Sequence, residues 1–126
     1  MTDTKKILIA EDSSVIQNLT RKILSLQNYD IHSVKNGKEV LTAMENDNFD
    51  LILMDIAMPK MDGIECTRQI RAMEDQSKAN IPIIAITGNA RNFTPEEFQK
   101  VGINEYVPKP IDFDHLVGMV NNYLRN

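Results

Sequence analysis

The chain has 126 residues, a length that suits one domain with a single core and leaves no room for a second. Its 14 basic and 18 acidic residues give a net charge of −4, which argues against direct nucleic-acid binding and against a basic membrane-binding surface. The single cysteine, Cys66, excludes an internal disulfide and indicates a reduced, cytoplasmic setting. The apolar run after MTDTKK is only about four residues long, so we expect no signal peptide and no membrane insertion.

Two continuous apolar runs, residues 7–10 and 51–54, are typical of strands buried on both faces of a parallel sheet. Each run is followed at once by acidic residues. Glu11 and Asp12 follow the first run, and Asp55 follows the second. Since ligands and chemistry collect at the carboxyl ends of such strands, these three acids are candidates for a functional site.

The residues between these two strands predict a helix, a weaker strand and a second helix. Ser13 or Ser14 caps the first helix, which is broken at Asn28. Its predicted apolar face consists of Val15, Leu19, Ile23 and Leu26. The weaker strand covers residues 29–34, Asn36-Gly37 has turn chemistry, and the second helix is marked by Val40, Leu41 and Met44.

The second half of the chain continues the alternation of strands and helices. A helix after Gly63 is marked by Ile64, Cys66, Ile70 and Met73, and a polar loop over residues 74–80 follows it. A fourth strand over residues 83–86 ends at Thr87, and a helix from Thr94 to Val101 stops at Gly102. A short strand over residues 105–107 ends in Pro108-Lys109-Pro110, and Asp112 caps a last helix with Phe113, Val117, Val120 and Leu124 on one face.

Five strands alternating with five helices predict an α/β fold, a flavodoxin-like (βα)5 doubly wound parallel sheet with right-handed crossovers. The strand order we expect is 2-1-3-4-5. This order makes strands 1, 3, 4 and 5 neighbours, so that the polar residues at their carboxyl ends converge at one edge of the sheet. Those residues are Glu11, Asp12, Asp55, Thr87 and Lys109.

Three carboxylates that share a pocket repel one another, which raises at least one pKa unless a cation is present. Oxygen ligands without histidine or cysteine suit Mg²⁺, or alternatively Mn²⁺, and Mg²⁺ in proteins commonly bridges carboxylates to phosphate. Asp55 is therefore a candidate nucleophile toward phosphorus. Lys109 would neutralise charge on the transferring oxygens, and Thr87 would donate a hydrogen bond to them. No site for an organic cofactor is indicated.

With these residues the chain resembles the receiver domain of two-component response regulators over nearly its whole length. The motifs are the acidic pair after strand 1, the phosphoacceptor Asp55, Thr87 after strand 4 and Lys109-Pro110 after strand 5. The resemblance implies that Glu11, Asp12, Asp55 and the backbone carbonyl of Ala57 hold Mg²⁺. It also implies a switch pair, Thr87 and Tyr106, a cis Lys109–Pro110 bond, and control of water access by Ala57 and Asn89.

The resemblance further implies a function in phosphorelay signalling. A histidine kinase or a histidine phosphotransfer protein would phosphorylate Asp55, and the domain would promote its own phosphorylation and dephosphorylation without being an enzyme in the usual sense. A downstream protein would read the face formed by the fourth predicted helix, the fifth strand and the fifth predicted helix. Residues 1–126 would form one receiver domain with no output domain, and the sequence fits both a separate regulator and a domain of a longer hybrid kinase.

Three other functions remain as alternatives. A metal-dependent phosphatase with an Asp nucleophile normally needs a second acid near Asp55, and Ile56 and Ala57 supply none. A flavodoxin-like cofactor binder would place the acidic pair, Glu11 and Asp12, against a flavin phosphate. A docking module that works without phosphorylation would not require the intact acidic cluster.

Overall fold

A five-stranded parallel sheet with the order β2-β1-β3-β4-β5 forms the centre of the computed structural model, which describes residues 4–88 and 94–125. The strands are β1 (Lys6–Ala10), β2 (Asp30–Val34), β3 (Leu51–Asp55), β4 (Ile83–Thr87) and β5 (Glu105–Pro108). This confirms the predicted fold and strand order. Asn89, which was expected to influence water access, lies outside the described residues.

Helices cover both faces of the sheet, as expected for parallel strands joined by crossovers. The helices are α1 (Ser14–Ser25), α2 (Gly37–Asn46), α3 (Gly63–Arg71), α4 (Gln76–Ala79), α5 (Pro95–Val101) and α6 (Phe113–Leu124). Helices α1 and α6 pack on one face around Leu24 and Leu116, and α2, α3 and α5 pack on the other around Met44, Ile70 and Phe98. All five residues of β3 and of β4 are buried, so these central strands fix the edge where the predicted site lies.

Capping residues set the positions at which most of the helices begin. Ser13, Thr94 and Asp112 are the N-caps of α1, α5 and α6, as predicted. Asn36, predicted to form a turn, is the N-cap of α2, because its side chain accepts a hydrogen bond from the N–H of Glu39.

The predicted polar loop over residues 74–80 contains the short helix α4, which the sequence reading missed. Asp75 caps this helix, accepting hydrogen bonds from both the N–H and the hydroxyl of Ser77. A single helical turn has too few apolar positions to show periodicity, although Ala79 is buried.

The predicted apolar face of α1 is wrong. Val15, Leu19 and Leu26 are 78%, 46% and 76% exposed, and the side that faces the sheet carries Gln17 and Thr20 together with Leu24. These two polar side chains are buried at little cost because they are hydrogen-bonded. The amide of Gln17 donates to the carbonyls of Glu11 and Val34, and the Thr20 hydroxyl donates to Ile16 O. Helix α1 therefore has an exposed apolar stripe, defined here as Val15, Leu19 and Leu26.

Within the described residues, no helix combines the length and the apolar composition needed to cross a bilayer.

Candidate functional site

The carboxyl ends of β1 and β3 bring the three predicted acids together. Carboxylate oxygens of Glu11, Asp12 and Asp55 all lie within 4.8 Å of one another. Glu11 and Asp55 are buried, whereas Asp12 is exposed at the mouth of the cluster. The site is thus a shallow acidic pocket with two buried carboxylates and one that faces solvent.

Asp55 is held from two sides. Its side chain is 2% exposed, Oδ1 accepts a hydrogen bond from the N–H of Ala57 at 3.2 Å, and Oδ2 lies 3.2 Å from the Lys109 ammonium. The N–H of the next residue, Ile56, donates to Ile86 O on the neighbouring strand at 3.0 Å. These contacts therefore fix the position of the Asp55 carboxylate at the point where β3 ends and the following loop begins.

Glu11 has the most perturbed ionisation in the cluster. Its Oε2 accepts a hydrogen bond from the N–H of Ser13 at 3.0 Å, and its Oε1 lies 3.6 Å from the Lys109 ammonium. Burial first, and the charge of Asp55 second, outweigh these favourable contacts and raise the pKa of Glu11 to about 7. The Lys109 ammonium, 3.6 Å from Glu11 and 3.2 Å from Asp55, therefore offsets the negative charge of these two carboxylates only in part.

Lys109 is the cation of the site. Burial alone would lower the pKa of its ammonium, but the charges of Asp55 and Glu11 raise the pKa above its usual value. Lys109 therefore stays protonated. Among the residues that the structure describes, one ammonium faces three carboxylates, so negative charge is in excess. This set of oxygen donors suits a hard divalent cation.

Thr87 lies at the end of β4 and is 3% exposed. Its carbonyl accepts a hydrogen bond from the Lys109 N–H at 2.8 Å, which joins the ends of β4 and β5, and the Lys109–Pro110 bond is cis as expected. Among the described residues, a Cβ added at Gly88 would meet side-chain atoms of Lys109 alone, at the ordinary contact distances of 3.6 and 4.0 Å. The backbone here does not require glycine, so alanine would fit.

Tyr106 does not belong to the acidic pocket in this structure. It is 37% exposed, and its ring stacks at a tilt on Phe98 of α5, with 5.4 Å between the ring centroids. The register pairs Tyr106 with Ala85 on β4, two positions before Thr87. The ring therefore lies on the outer surface beside the strand that carries Thr87.

Glycine contacts that sequence reasoning did not identify position the loop after β3. The N–H of Gly63 donates to Ile56 O at 2.9 Å, and a Cβ at Gly63 would lie 2.7 Å from Asp55 O. Gly37 approaches the same loop, since its N–H donates to Met61 O at 3.2 Å and a Cβ there would lie 2.7 Å from that oxygen. Both glycines permit close backbone approach, which composition alone cannot show.

Comparisons with known proteins identify the family of the chain. The family model of the response regulator receiver domain matches residues 7–121. The CAI-1 autoinducer sensor kinase/phosphatase CqsS of Vibrio cholerae is 41% identical over 116 residues, which are 92% of the chain and 17% of that kinase. The polar-differentiation response regulator DivK of Brucella ovis is 31% identical over 121 residues, covering 96% of the chain and 97% of DivK.

A solved structure shows the same architecture. The receiver domain of the sensor histidine kinase PA1611 from Pseudomonas aeruginosa is 31% identical and superposes with a TM-score of 0.87, covering 98% of the chain and 100% of that domain. That structure has a magnesium ion coordinated in its active site cleft. The chain spans 17% of the length of CqsS and nearly all of DivK, so its relatives include both parts of kinases and separate regulators.

Proposed function

Because the chain belongs to the receiver-domain family of two-component signalling proteins, we propose that Asp55 accepts a phosphoryl group from a phosphohistidine and thereby changes what the domain binds. Receiver domains are signalling modules, which separates this chain from metal-dependent phosphatases and from flavin carriers. The observation that carries the proposal is the buried Asp55 carboxylate, set against Lys109 and beside the carboxylates of Glu11 and Asp12.

In the proposed transfer, a carboxylate oxygen of Asp55 attacks the phosphorus of a phosphohistidine. The new bond joins that oxygen to phosphorus, the P–N bond breaks, and the histidine nitrogen leaves with the electron pair and takes up a proton. Lys109 lies within reach of Asp55 and would pair with the negative phosphoryl oxygens. The Thr87 hydroxyl would donate a hydrogen bond to the same group.

The residues of the pocket fit a divalent cation, Mg²⁺ or alternatively Mn²⁺. Glu11, Asp12, Asp55 and the carbonyl of Ala57 would hold it. The observation that favours a cation here is the cluster of three carboxylates whose oxygens lie within 4.8 Å of one another, and the raised pKa of Glu11 agrees with it. When bound, the cation supplies charge that offsets the negative phosphoryl oxygens. In the same proposal the domain promotes both the gain and the hydrolytic loss of its phosphoryl group.

The exposed apolar stripe of α1 is the surface proposed for docking of the phosphodonor, a histidine kinase or a histidine phosphotransfer protein. Helix α1 begins at Ser14, two residues after Asp12, so Val15 lies in the first turn that follows the acidic pair. Val15, Leu19 and Leu26 lie on the side of α1 opposite Gln17 and Leu24, which face the sheet. An apolar stripe that leads to a phosphoacceptor suits a partner helix that carries the donor histidine.

The face formed by α5, β5 and α6 is the surface proposed for a downstream protein partner. Phosphorylation adds about −1.5 to −2 charges at Asp55. Thr87 would move toward that charge, and Tyr106 would leave its exposed position on Phe98 and turn inward. Because Thr87 and Tyr106 lie on adjacent strands, the change would reach the outer surface. The proposed compartment is the cytoplasm, in keeping with one buried cysteine that remains a thiol.

Intact-mass analysis tests the phosphoacceptor assignment. With a phosphorylated histidine donor and Mg²⁺ present, the wild-type chain should gain one phosphoryl group, and Asp55→Asn should gain none because an amide oxygen is a poor nucleophile. Excess chelator should suppress labelling of the wild type. The assignment is wrong if Asp55→Asn is labelled like the wild type, or if the chelator leaves labelling unchanged.

A further inference from the structure

Arg71, at the end of α3, makes a set of hydrogen bonds that the phosphoacceptor chemistry does not use. Its Nε and Nη2 donate to Gly102 O at 2.9 and 2.6 Å. Its Nη1 donates to Ala79 O and Ile81 O, both at 2.7 Å, and Nη2 also donates to Asn104 Oδ1 at 3.0 Å. One guanidinium therefore joins the ends of α3, α4 and α5 to the segments that lead into β4 and β5.

The acceptors of Arg71 are neutral. Within the ranges 4–88 and 94–125 no carboxylate forms an ion pair with this guanidinium, and burial lowers the pKa of Arg71. Carbonyls at the C-terminal ends of helices carry partial negative charge, so the cation is favourably placed between α4 and α5. Asn104 extends the contact, since its Oδ1 also accepts from the Ile83 N–H at 2.8 Å.

The C-terminal end of α5 is closely fitted to Arg71. Gly102 caps α5 in the left-handed conformation, with φ of 101°. A Cβ at Gly102 would lie 2.7 Å from Arg71 Nε and 2.8 Å from its Cγ. The stem of the arginine thus packs against the cap while its head binds the cap carbonyl, so this end of α5 has little freedom to shift.

The opposite end of α5 has a different environment. Residues 94–97 are all exposed, and Phe98 is the buried residue of the helix, in contact with the ring of Tyr106. The N-terminal end of α5 is also the end that follows β4 in the sequence, and β4 ends at Thr87. Helix α5 therefore has a C-terminal end bound to the rest of the fold and an N-terminal end exposed to solvent.

We propose that Arg71 is a positioning residue that holds Gly102 fixed, so that phosphorylation of Asp55 tilts α5 about its C-terminal end instead of shifting the whole helix. This inference rests on the proposed function. It assigns the movement of the output face to the N-terminal end of α5 and to Tyr106. Partners that detect the phosphorylated state would then contact that end, and the Gly102 end would look the same in both states.

NMR of the full chain with Mg²⁺ and beryllofluoride, a phosphoryl mimic, tests the pivot directly. Addition of the mimic should change the amide shifts of Glu96 and Glu97 at least three-fold more than those of Val101 and Gly102. Solvent exchange of the Arg71 Nε–H proton should stay within about two-fold, because its bond to Gly102 O persists. If the Arg71 Nε–H proton exchanges ten-fold faster while amides of α5 still shift, the role of Arg71 as the pivot is wrong and the proposed output stands. If no amide of α5 shifts, both the pivot and the proposed output are wrong.

The variant Arg71→Lys tests whether the guanidinium is what holds Gly102. Its matched control is Arg68→Lys, at an exposed position of α3. A lysine ammonium cannot bind the carbonyls of α4 and α5 together in a fork. We expect the Gly102 amide to lose at least ten-fold in exchange protection, and the response to the mimic to spread to both ends of α5. Amides of Leu8 and Leu53 in the central strands should stay within about three-fold. Equal loss of protection in those strands would mean that Arg71 only stabilises the whole fold, and the proposal would be wrong.

Discussion

Glu11 is the residue whose ionisation most changes the charge of the acidic pocket. Its pKa is raised from 4.5 to about 7 by burial and by Asp55. A carboxyl with a raised pKa in the folded state stabilises the fold at low pH, and this contribution is lost as the pH rises through the folded pKa. In the metal-free protein we therefore expect the free energy of unfolding to fall between about pH 4.5 and pH 7.

Urea denaturation at several pH values in this range, without metal, measures the free energy of unfolding. Glu11→Gln is the control, and it should remove the part of the pH dependence that Glu11 causes. Added Mg²⁺ should raise the unfolding midpoint more at pH 8 than at pH 6, because the cation binds the ionised carboxylate. A wild-type slope identical to that of Glu11→Gln would contradict the assigned cause.

Gly63 is required by the close approach of backbone atoms behind Asp55. Its added Cβ would lie 2.7 Å from Asp55 O and 2.9 Å from Met54 Cγ. We expect Gly63→Ala to lower the free energy of unfolding by roughly 1–3 kcal/mol through overpacking, and to slow phosphorylation by displacing Asp55. Urea denaturation and the rate of mass gain measure the two effects.

Gly118 provides the matched control for this substitution. It lies in the middle of α6, and a Cβ there would meet nothing within 4 Å. Because glycine in a helix interior is less stable than alanine by roughly 0.5–1 kcal/mol, Gly118→Ala should raise the free energy of unfolding. Destabilisation of similar size in both variants would refute the steric account of Gly63.

At the scale of single elements, α1 gives the most direct test of donor docking. Leu19→Glu places a charge within the exposed apolar stripe and should slow phosphoryl transfer from a phosphohistidine protein by at least ten-fold. Transfer from a small phosphodonor such as acetyl phosphate should stay within about two-fold, since it needs no docking surface. Thr42→Glu is the control. Thr42 is an exposed residue of α2, which packs on the opposite face of the sheet, so this substitution should change neither rate. Equal slowing with both donors would place the effect in the pocket and not in docking.

Helix α1 also shows where sequence reading succeeds and where it fails. The buried strands were predictable because parallel strands covered on both faces are continuous apolar runs, and the acids after them identified the edge of the sheet. The orientation of α1 was not predictable from the sequence. Its exposed apolar stripe has helical periodicity, whereas the side that faces the sheet carries the polar residues Gln17 and Thr20. Their burial depends on carbonyl acceptors supplied by other residues, including Val34 on β2, which a helical pattern does not reveal.

Arg71 was overlooked for a related reason. Its partners are backbone carbonyls at Ala79, Ile81 and Gly102, which any residue type could supply. By contrast, the acids, Thr87 and Lys109 were predictable because each lies at the carboxyl end of a strand or just after it and has a side chain suited to phosphoryl chemistry.

At the scale of the whole molecule, the proposed output depends on coupling between Thr87 and Tyr106 across β4 and β5. A phosphoryl mimic should shift amides at the N-terminal end of α5, in β5 and along α6. Thr87→Ala should reduce those distant shifts by about half or more, because its methyl group cannot donate to the phosphoryl oxygens. Backbone NMR measures both. Shifts confined to the Asp55 pocket in the wild type would contradict an output through this face.

The order of strands in the sheet also determines when a newly made chain completes the cluster of charged groups around Asp55. Asp55 and Lys109 are 54 positions apart; Asp55 ends β3, Lys109 directly follows β5, and β4 lies between these two strands. A chain still on the ribosome that has exposed β1 to β4 already has its acids, but its ammonium arrives only with β5. Contacts between distant positions form late because the loop between them must close first. Under the proposed function, Asp55 therefore gains its ammonium partner only when β5 joins the sheet, and we expect a partly folded chain to accept phosphoryl groups more slowly than the folded domain.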